Sequence, residues 1–386
     1  MTQQYLTHAR IVLADQILED ASLLIEDGII AAINPESVAD NVDAIDLAGR
    51  VLMPGMIDLH CDALEKEVEP RPNVHFPLDY AVAQADKRNA TSGITTVYHA
   101  IAFANDELGV RNNDFAASIA KAVHAWAPHG LIDNRVHCRY EITDESGLPV
   151  LLDLIANDDM HLLSLMDHTP GQGQFKDMAA YRDYLARSYK KTDAELDDII
   201  DKKLGAAGGA FERAKTLIKA AQGKGISVAS HDDDNRERIE TMTGLGVKIS
   251  EFPINMEAAA AQELGMSTVF GAPNILRGKS QSGSMKALDA IEAGVADCLC
   301  ADYAPAALIV AVIKLPSLTN IDLPSAVRLV TLNPAKAAGL NDRGEITVGK
   351  RADLIMVDMP AGLPQIGRVW LNGQTVYQGV YNHGRS

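Results

Sequence analysis

The sequence predicts an α/β protein, a (β/α)₈ barrel carrying a small discontinuous β-sandwich domain built from both termini. Two observations lead there. Eight short apolar runs, half of them opened by glycine, are separated by stretches of helical pattern, and near-continuous hydrophobicity in strands that alternate with helices marks a parallel sheet covered on its outer side. Short β-rich pieces with hairpin signals occupy the first fifty residues and return only at the far end. Two distant segments of one texture make one β unit.

In order along the chain, "YLTHARIVLA" and "ASLLIEDGIIAAI" are the first β-rich pieces, with Asp27-Gly28 as the hairpin signal. The eight barrel runs follow: "GMIDLHCD", "GITTVYHAIAF", "NRVHCRYEI", "HLLSLMDHTP", "GISVASHDD", "VKISEFPI", "GMSTVFGAP" and "DCLCADYAP". An open doubly wound sheet is the alternative, but its usual glycine-rich nucleotide fingerprint is missing. "RADLIMVDM" and "GRVWLNGQTVYQGV", with Asn372-Gly373 as a second hairpin signal, complete the β unit. The expected division is therefore residues 1–52 and 344–386 for the β-sandwich and 53–343 for the barrel. The connection between the fourth and fifth runs is longer than a barrel needs, which makes 171–224 a candidate lid beside a strand's C-terminal end.

Composition limits the partners. With 386 residues, 47% of them hydrophobic, the chain can bury a large core, and its N-terminus lacks signal-peptide architecture. No run of apolar residues is long enough to span a bilayer. A cytoplasmic protein without a membrane or nucleic-acid partner is expected, since a net charge of −17 opposes attraction to polyanions. A homo-oligomer is compatible with this composition. An anionic substrate would need a local cationic pocket. The four cysteines form no Cys-x-x-Cys pair, and three lie in apolar runs, where a reduced thiol behaves as a small hydrophobe.

The runs are most informative where they end. Active sites of such barrels are built at the C-terminal ends of the strands. His60 and Asp62 end the first run, Glu141 the third, His168 the fourth, His231 the fifth and Asp302 the eighth. Imidazole nitrogens and carboxylate oxygens suit Zn, and also Mn or Fe, as one or two divalent ions, with Glu141 placed to bridge two of them. A single histidine in such a run is as readily a hydrogen-bonded core residue; coincidence at five strand ends is a poor explanation. Asp302 has the alternative reading of a helix N-cap, and Asp232 to Asp234 read as the first turn of the next helix. His137, alternating with Arg135 and Arg139, reads as structural.

"PGMIDLH", the strand-end His168, His231 and Asp302, and "NPAKAAGLNDRGEITVGKRADLIMVD" resemble the amidohydrolase superfamily over nearly the whole chain. "LHCDALEKEVEPRPNV", "SLMDHTPGQGQF", "ASHDDD", "EFPINMEAA", "GAPNILRGKSQSG" and "DYAPAAL" resemble, more closely, the PhnM family of the carbon–phosphorus lyase pathway. The wider resemblance implies the barrel with its flanking β-sandwich and a metal-dependent hydrolase. The closer one implies an α-D-ribose 1-methylphosphonate 5-triphosphate diphosphatase, with Asp302 orienting the attacking water and taking its proton. His-Cys-Asp then stands where the superfamily more often has His-x-His.

On that reading a phosphorylated small molecule is the substrate. Lys66 and Arg71 beyond the first strand, with Arg277, Lys279, Ser280 and Ser282 of "RGKSQSG", supply the local cationic pocket and hydrogen-bond donors for its phosphates. Gln281 stands in that loop where the family pattern often has His. Each cation also has the plain reading of a solvated surface charge. Two rivals remain. One is a cyclic-amide hydrolase or deaminase, which would need a small neutral pocket without the arginines; the other is a metal-free scaffold, against which the near-complete ligand set argues.

Overall fold

The computed structural model describes residues 2–39, 42–105, 112–168, 205, 208–280 and 284–381. The terminal segments supply β1 (Gln3–Val12), β2 (Ile17–Glu26), β3 (Ile29–Ile33), β4 (Asp43–Asp46) and β5 (Val51–Pro54) at one end. All eight apolar runs then appear as strands: β6 (Met56–Cys61), β7 (Ile94–Phe103), β8 (Asp133–Glu141), β9 (Leu162–Met166), β10 (Ser227–His231), β11 (Ile249–Glu251), β12 (Ser267–Gly271) and β13 (Cys298–Cys300). The chain finishes with β14 (Leu354–Asp358), β15 (Gln365–Leu371) and β16 (Gln374–Gln378).

Strands β6 to β13 pair in sequence order, each parallel to the next. The ring closes between its first and last members. Asp302 N–H donates to the His60 carbonyl at 2.9 Å, and Asp62 N–H donates to the Asp302 carbonyl at 3.1 Å. Ile57, Leu59, Leu162, Ala229, Ile249, Val269, Cys298 and Cys300 fill the inside with apolar contacts. A second apolar shell lies between the strands and the surrounding helices. Parallel strands buried on both faces need this double cover, which is why they read as unbroken apolar runs. The four cysteines are free and buried.

The terminal strands meet in one mixed sheet in the order β16-β15-β14-β5-β1-β2-β3, with β4 against β1. Strand β5 joins the two ends of the chain, since it lies parallel to β1 and antiparallel to β14. Its core is Leu6, Ile11, Leu23, Ile25, Leu52, Leu354 and Trp370. Most of the candidate lid lies outside the described residues; its last part forms the helix Ala210–Gly223, which buries Ala214, Leu217, Ile218 and Ala221 in the outer core. Among the described residues no helix is long and apolar enough to cross a membrane.

Gly55 is the hinge between terminal sheet and barrel, because β5 ends at Pro54 and β6 begins at Met56. Its backbone N–H bonds to the Asp353 carbonyl, and a Cβ there would stand 2.2 Å from Thr95 Oγ1 and 2.8 Å from Thr95 Cβ. A β-branched side chain has little room to retreat. Gly55→Ala is expected to lower stability by roughly 1–3 kcal/mol, the usual cost of overpacking, read as a shifted denaturant midpoint. An unshifted midpoint would show that Thr95 rotates aside freely.

Candidate active site at the barrel mouth

His60 enters the mouth through an irregularity. The β6–β7 register slips between Asp58 and Cys61, so that the inward face passes from Leu59 to His60. The imidazole is buried, and its Nδ1 lies 3.1 Å from Glu251 Oε1. A carboxylate accepts, so Nδ1 carries the proton and Nε2 keeps its lone pair. His231, from the end of β10, stands beside it with ring centroids 5.7 Å apart. Phe252 walls off both rings at 4.9 and 5.2 Å. Each of His60, His231 and Glu251 offers a ligand atom within 4.8 Å of the other two.

Glu251 was not among the residues expected from the sequence, although the signal was present. It ends strand β11 just as Glu141 ends β8. Its carboxylate accepts from Ser164 Oγ at 2.7 Å as well as from His60, and His137 Nε2 lies 3.7 Å away. His137 is thus part of this group. Its ring meets that of His60 edge to face at 5.2 Å, and Nδ1 lies 3.0 Å from the Leu59 carbonyl, which fixes the proton on Nδ1 and leaves the Nε2 lone pair without a partner. Burial drives its pKa down to about 3. Burial also lowers that of His60, helped by the Arg139 charge.

Glu141 and His168 form a second group. His168 Nδ1 lies 2.9 Å from Glu141 Oε2, and Thr143 Oγ1 donates to Glu141 Oε1 at 2.8 Å. Asp232 links the groups, its Oδ2 being 4.0 Å from His168 Nε2 and 3.1 Å from His231 Nδ1. Burial opposes protonation of His231, yet the Asp232 carboxylate leaves its pKa raised. The reading of Asp232 to Asp234 as a first helical turn is corrected here. The helix is Arg236–Gly244, capped by Asn235, and Asp233 is buried, accepting from Ser230, Ser250 and Arg238.

Asp302 and Asp62 lie at the seam of the ring, bound through their backbones. Burial, and then the Asp62 charge, push the Asp302 pKa up to about 7. Asp302 does not cap the following helix, which runs from Ala307 to Leu318 with Ala306 as its N-cap. Asp58 secures the seam beneath them by accepting from His60 N–H and Ala301 N–H at 3.2 and 3.0 Å. Of the expected phosphate-binding residues, Lys66, Arg71, Arg277 and Lys279 are exposed and Ser280 is half-buried. Ser282 and Gln281 lie outside the described residues. The four cations carry no side-chain partner among the described residues.

These residues fit a divalent cation. Two imidazole lone pairs face inward from rings oriented by a carboxylate and a carbonyl, and His231 Nδ1 and Asp232 Oδ2, though close, make no directed hydrogen bond. Crowded carboxylates and open imidazole nitrogens are the donor set of Zn, Mn or Fe sites.

The model of the amidohydrolase family matches residues 51–379. The chain belongs to the amidohydrolase family. This amidohydrolase is 35% identical over 378 residues to the alpha-D-ribose 1-methylphosphonate 5-triphosphate diphosphatase of Escherichia coli (strain K12), covering 96% of this chain and 100% of that one. It is 24% identical over 368 residues to an imidazolonepropionase of Deinococcus radiodurans, over 89% of this chain and 86% of the relative. Among solved structures, N-acetylglucosamine-6-phosphate deacetylase from Pasteurella multocida superposes with a TM-score of 0.64 at 15% identity, covering 97% of this chain and 99% of that one. That likeness concerns the fold. The amidohydrolase is a hydrolase enzyme.

Proposed function

We propose that this hydrolase cleaves α-D-ribose 1-methylphosphonate 5-triphosphate between the α- and β-phosphorus, releasing diphosphate, as a step of phosphonate catabolism in the cytoplasm. The observation that carries the reading is identity of 35% over 96% of this chain with a diphosphatase of that name, well above the 24% shared with an imidazolonepropionase. His60, His231 and Glu251 would hold a divalent cation, with His168, Glu141, Asp62 and Asp302 around it. When bound, that cation supplies Lewis acidity toward water and phosphoryl oxygen at neutral pH.

The chain's own residues then have distinct tasks. Asp302 orients the attacking water and accepts its proton as the water oxygen bonds to the α-phosphorus. The bond from the α-phosphorus to the bridging oxygen breaks, and its electron pair leaves on diphosphate. Lys66, Arg71, Arg277 and Lys279 carry no competing partner among the described residues and take the phosphates, with Ser280 and Ser282 as hydroxyl donors. Positioning and charge stabilisation dominate phosphoryl transfer, so cations serve where a covalent nucleophile is not needed.

Incubation with ribosyl triphosphates and with a panel of cyclic amides tests the reading, diphosphate, orthophosphate and ammonia being measured together. Diphosphate is the expected product. Arg71→Ala or Arg277→Ala should each weaken the reaction by roughly 1.5–3 kcal/mol, the range for charged hydrogen bonds, and Arg→Lys should recover only part because the planar fork is lost. Ring opening of amides alone, at rates unaffected by either arginine, would reject the diphosphatase and leave an amide hydrolase.

A further inference from the structure

Arg139 lies on β8 between His137 and Glu141, and alternation along a strand puts all three on the inward face. The register agrees. Arg139 pairs across β9 with Ser164, whose hydroxyl reaches inward to Glu251. The guanidinium has a side-chain exposure of 9%, and its charge acts on His60, His137, His231 and Asp302 together. Despite that enclosure, Nε and Nη2 have no hydrogen-bond partner. Among the described residues its ion-pair partner is Glu65, with Nη2 to Oε1 at 3.8 Å, too long for a hydrogen bond. That Glu65 oxygen already accepts the Ala102 N–H.

A buried cation with idle donors is costly unless something arrives to use them. Nε and Nη2 share one edge of the guanidinium, and their N–H bonds run parallel, a fork matched to two oxygens of one oxyanion. We propose that Arg139 binds two oxygens of a substrate phosphoryl group inside the barrel mouth, beside His60, His231 and Glu251. The identity of the anion rests on the diphosphatase reading; the existence of an oxyanion subsite rests on the geometry of Arg139. Its depth assigns it to the reacting end of the triphosphate, where negative charge grows on the bridging oxygen, and leaves the outer phosphates to the exposed Arg71 and Arg277.

Arg139→Met keeps the bulk of the stem and removes charge and fork, whereas Arg139→Lys keeps the charge alone. Titration calorimetry of metal-replete protein with inorganic phosphate reads the subsite directly, the metal content and thermal midpoint of each variant being recorded alongside. Affinity should fall ~10- to ~100-fold in Arg139→Met, as for loss of charge-assisted hydrogen bonds, and recover partly in Arg139→Lys, with metal retained. Equal phosphate affinity in the folded variants overturns the proposal. So does failure of both variants to fold, which would make Arg139 structural. Turnover separates the two readings. A wild type that releases diphosphate, with phosphate affinity indifferent to Arg139, removes the subsite and keeps the reaction; a wild type inert toward triphosphates, with affinity that depends on Arg139, removes the reaction and keeps the subsite.

Discussion

Asp302→Asn is expected to fold normally and to lose turnover by on the order of 10²-fold or more, the usual size of a general-base contribution. The substitution isolates chemistry from structure. What Asp302 gives the fold is its backbone, through the two hydrogen bonds to His60 and Asp62 that close the ring, and an asparagine makes both. Its φ of +55° is left-handed, a region that Asn occupies as readily as Asp. An amide nevertheless cannot take a proton from water. Turnover at saturating substrate, measured together with the melting curve and metal content, checks this; a near-normal rate in folded, metal-loaded Asp302→Asn would end its assignment as proton acceptor.

Glu251→Gln should cost about 10- to 100-fold in metal affinity, with activity falling alongside, as for groups that orient metal-binding histidines. The carboxylate serves two donors, His60 Nδ1–H and Ser164 O–H. A glutamine has one acceptor oxygen and an NH₂, so one of those donors loses its acceptor in a fully buried place. Either loss disturbs the orientation of the ring whose Nε2 faces the cluster. Elemental analysis after metal-replete expression is the readout. Wild-type metal content and rate in folded Glu251→Gln would remove Glu251 from the site.

Much of the architecture was legible because parallel strands buried on two faces leave an unmistakable apolar record, from Met56 to Cys61 through Cys298 to Cys300. The strand-end rule likewise pointed to His60, His168 and His231, all of which stand at the mouth. It reached Glu251 equally well, but there the polar end is one residue followed at once by Phe252 and Pro253, which read as more of the same apolar run. Asp232 was hidden differently. Carboxylates ahead of a helix suit its dipole, and only the observed start at Arg236, capped by Asn235, frees Asp232 to face His231 and His168. Arg139 could not be told from a surface arginine, since what distinguishes it is enclosure by elements far away in the chain.

The seam between the first and last barrel strands has a consequence for how the enzyme comes to be active. Asp58 accepts the Ala301 N–H across 243 positions of sequence, and His60 and Asp302 meet at the same junction. Long loops of this kind close late, because their entropy must be met before the contact can form. Chains emerge from the ribosome N-terminus first, so His60 is made long before the strand that brings Asp302 beside it. Asp302 and His60 therefore come together only when the cylinder is whole, and on the role proposed for Asp302 a nascent or truncated chain that has built every earlier strand is expected to be catalytically silent.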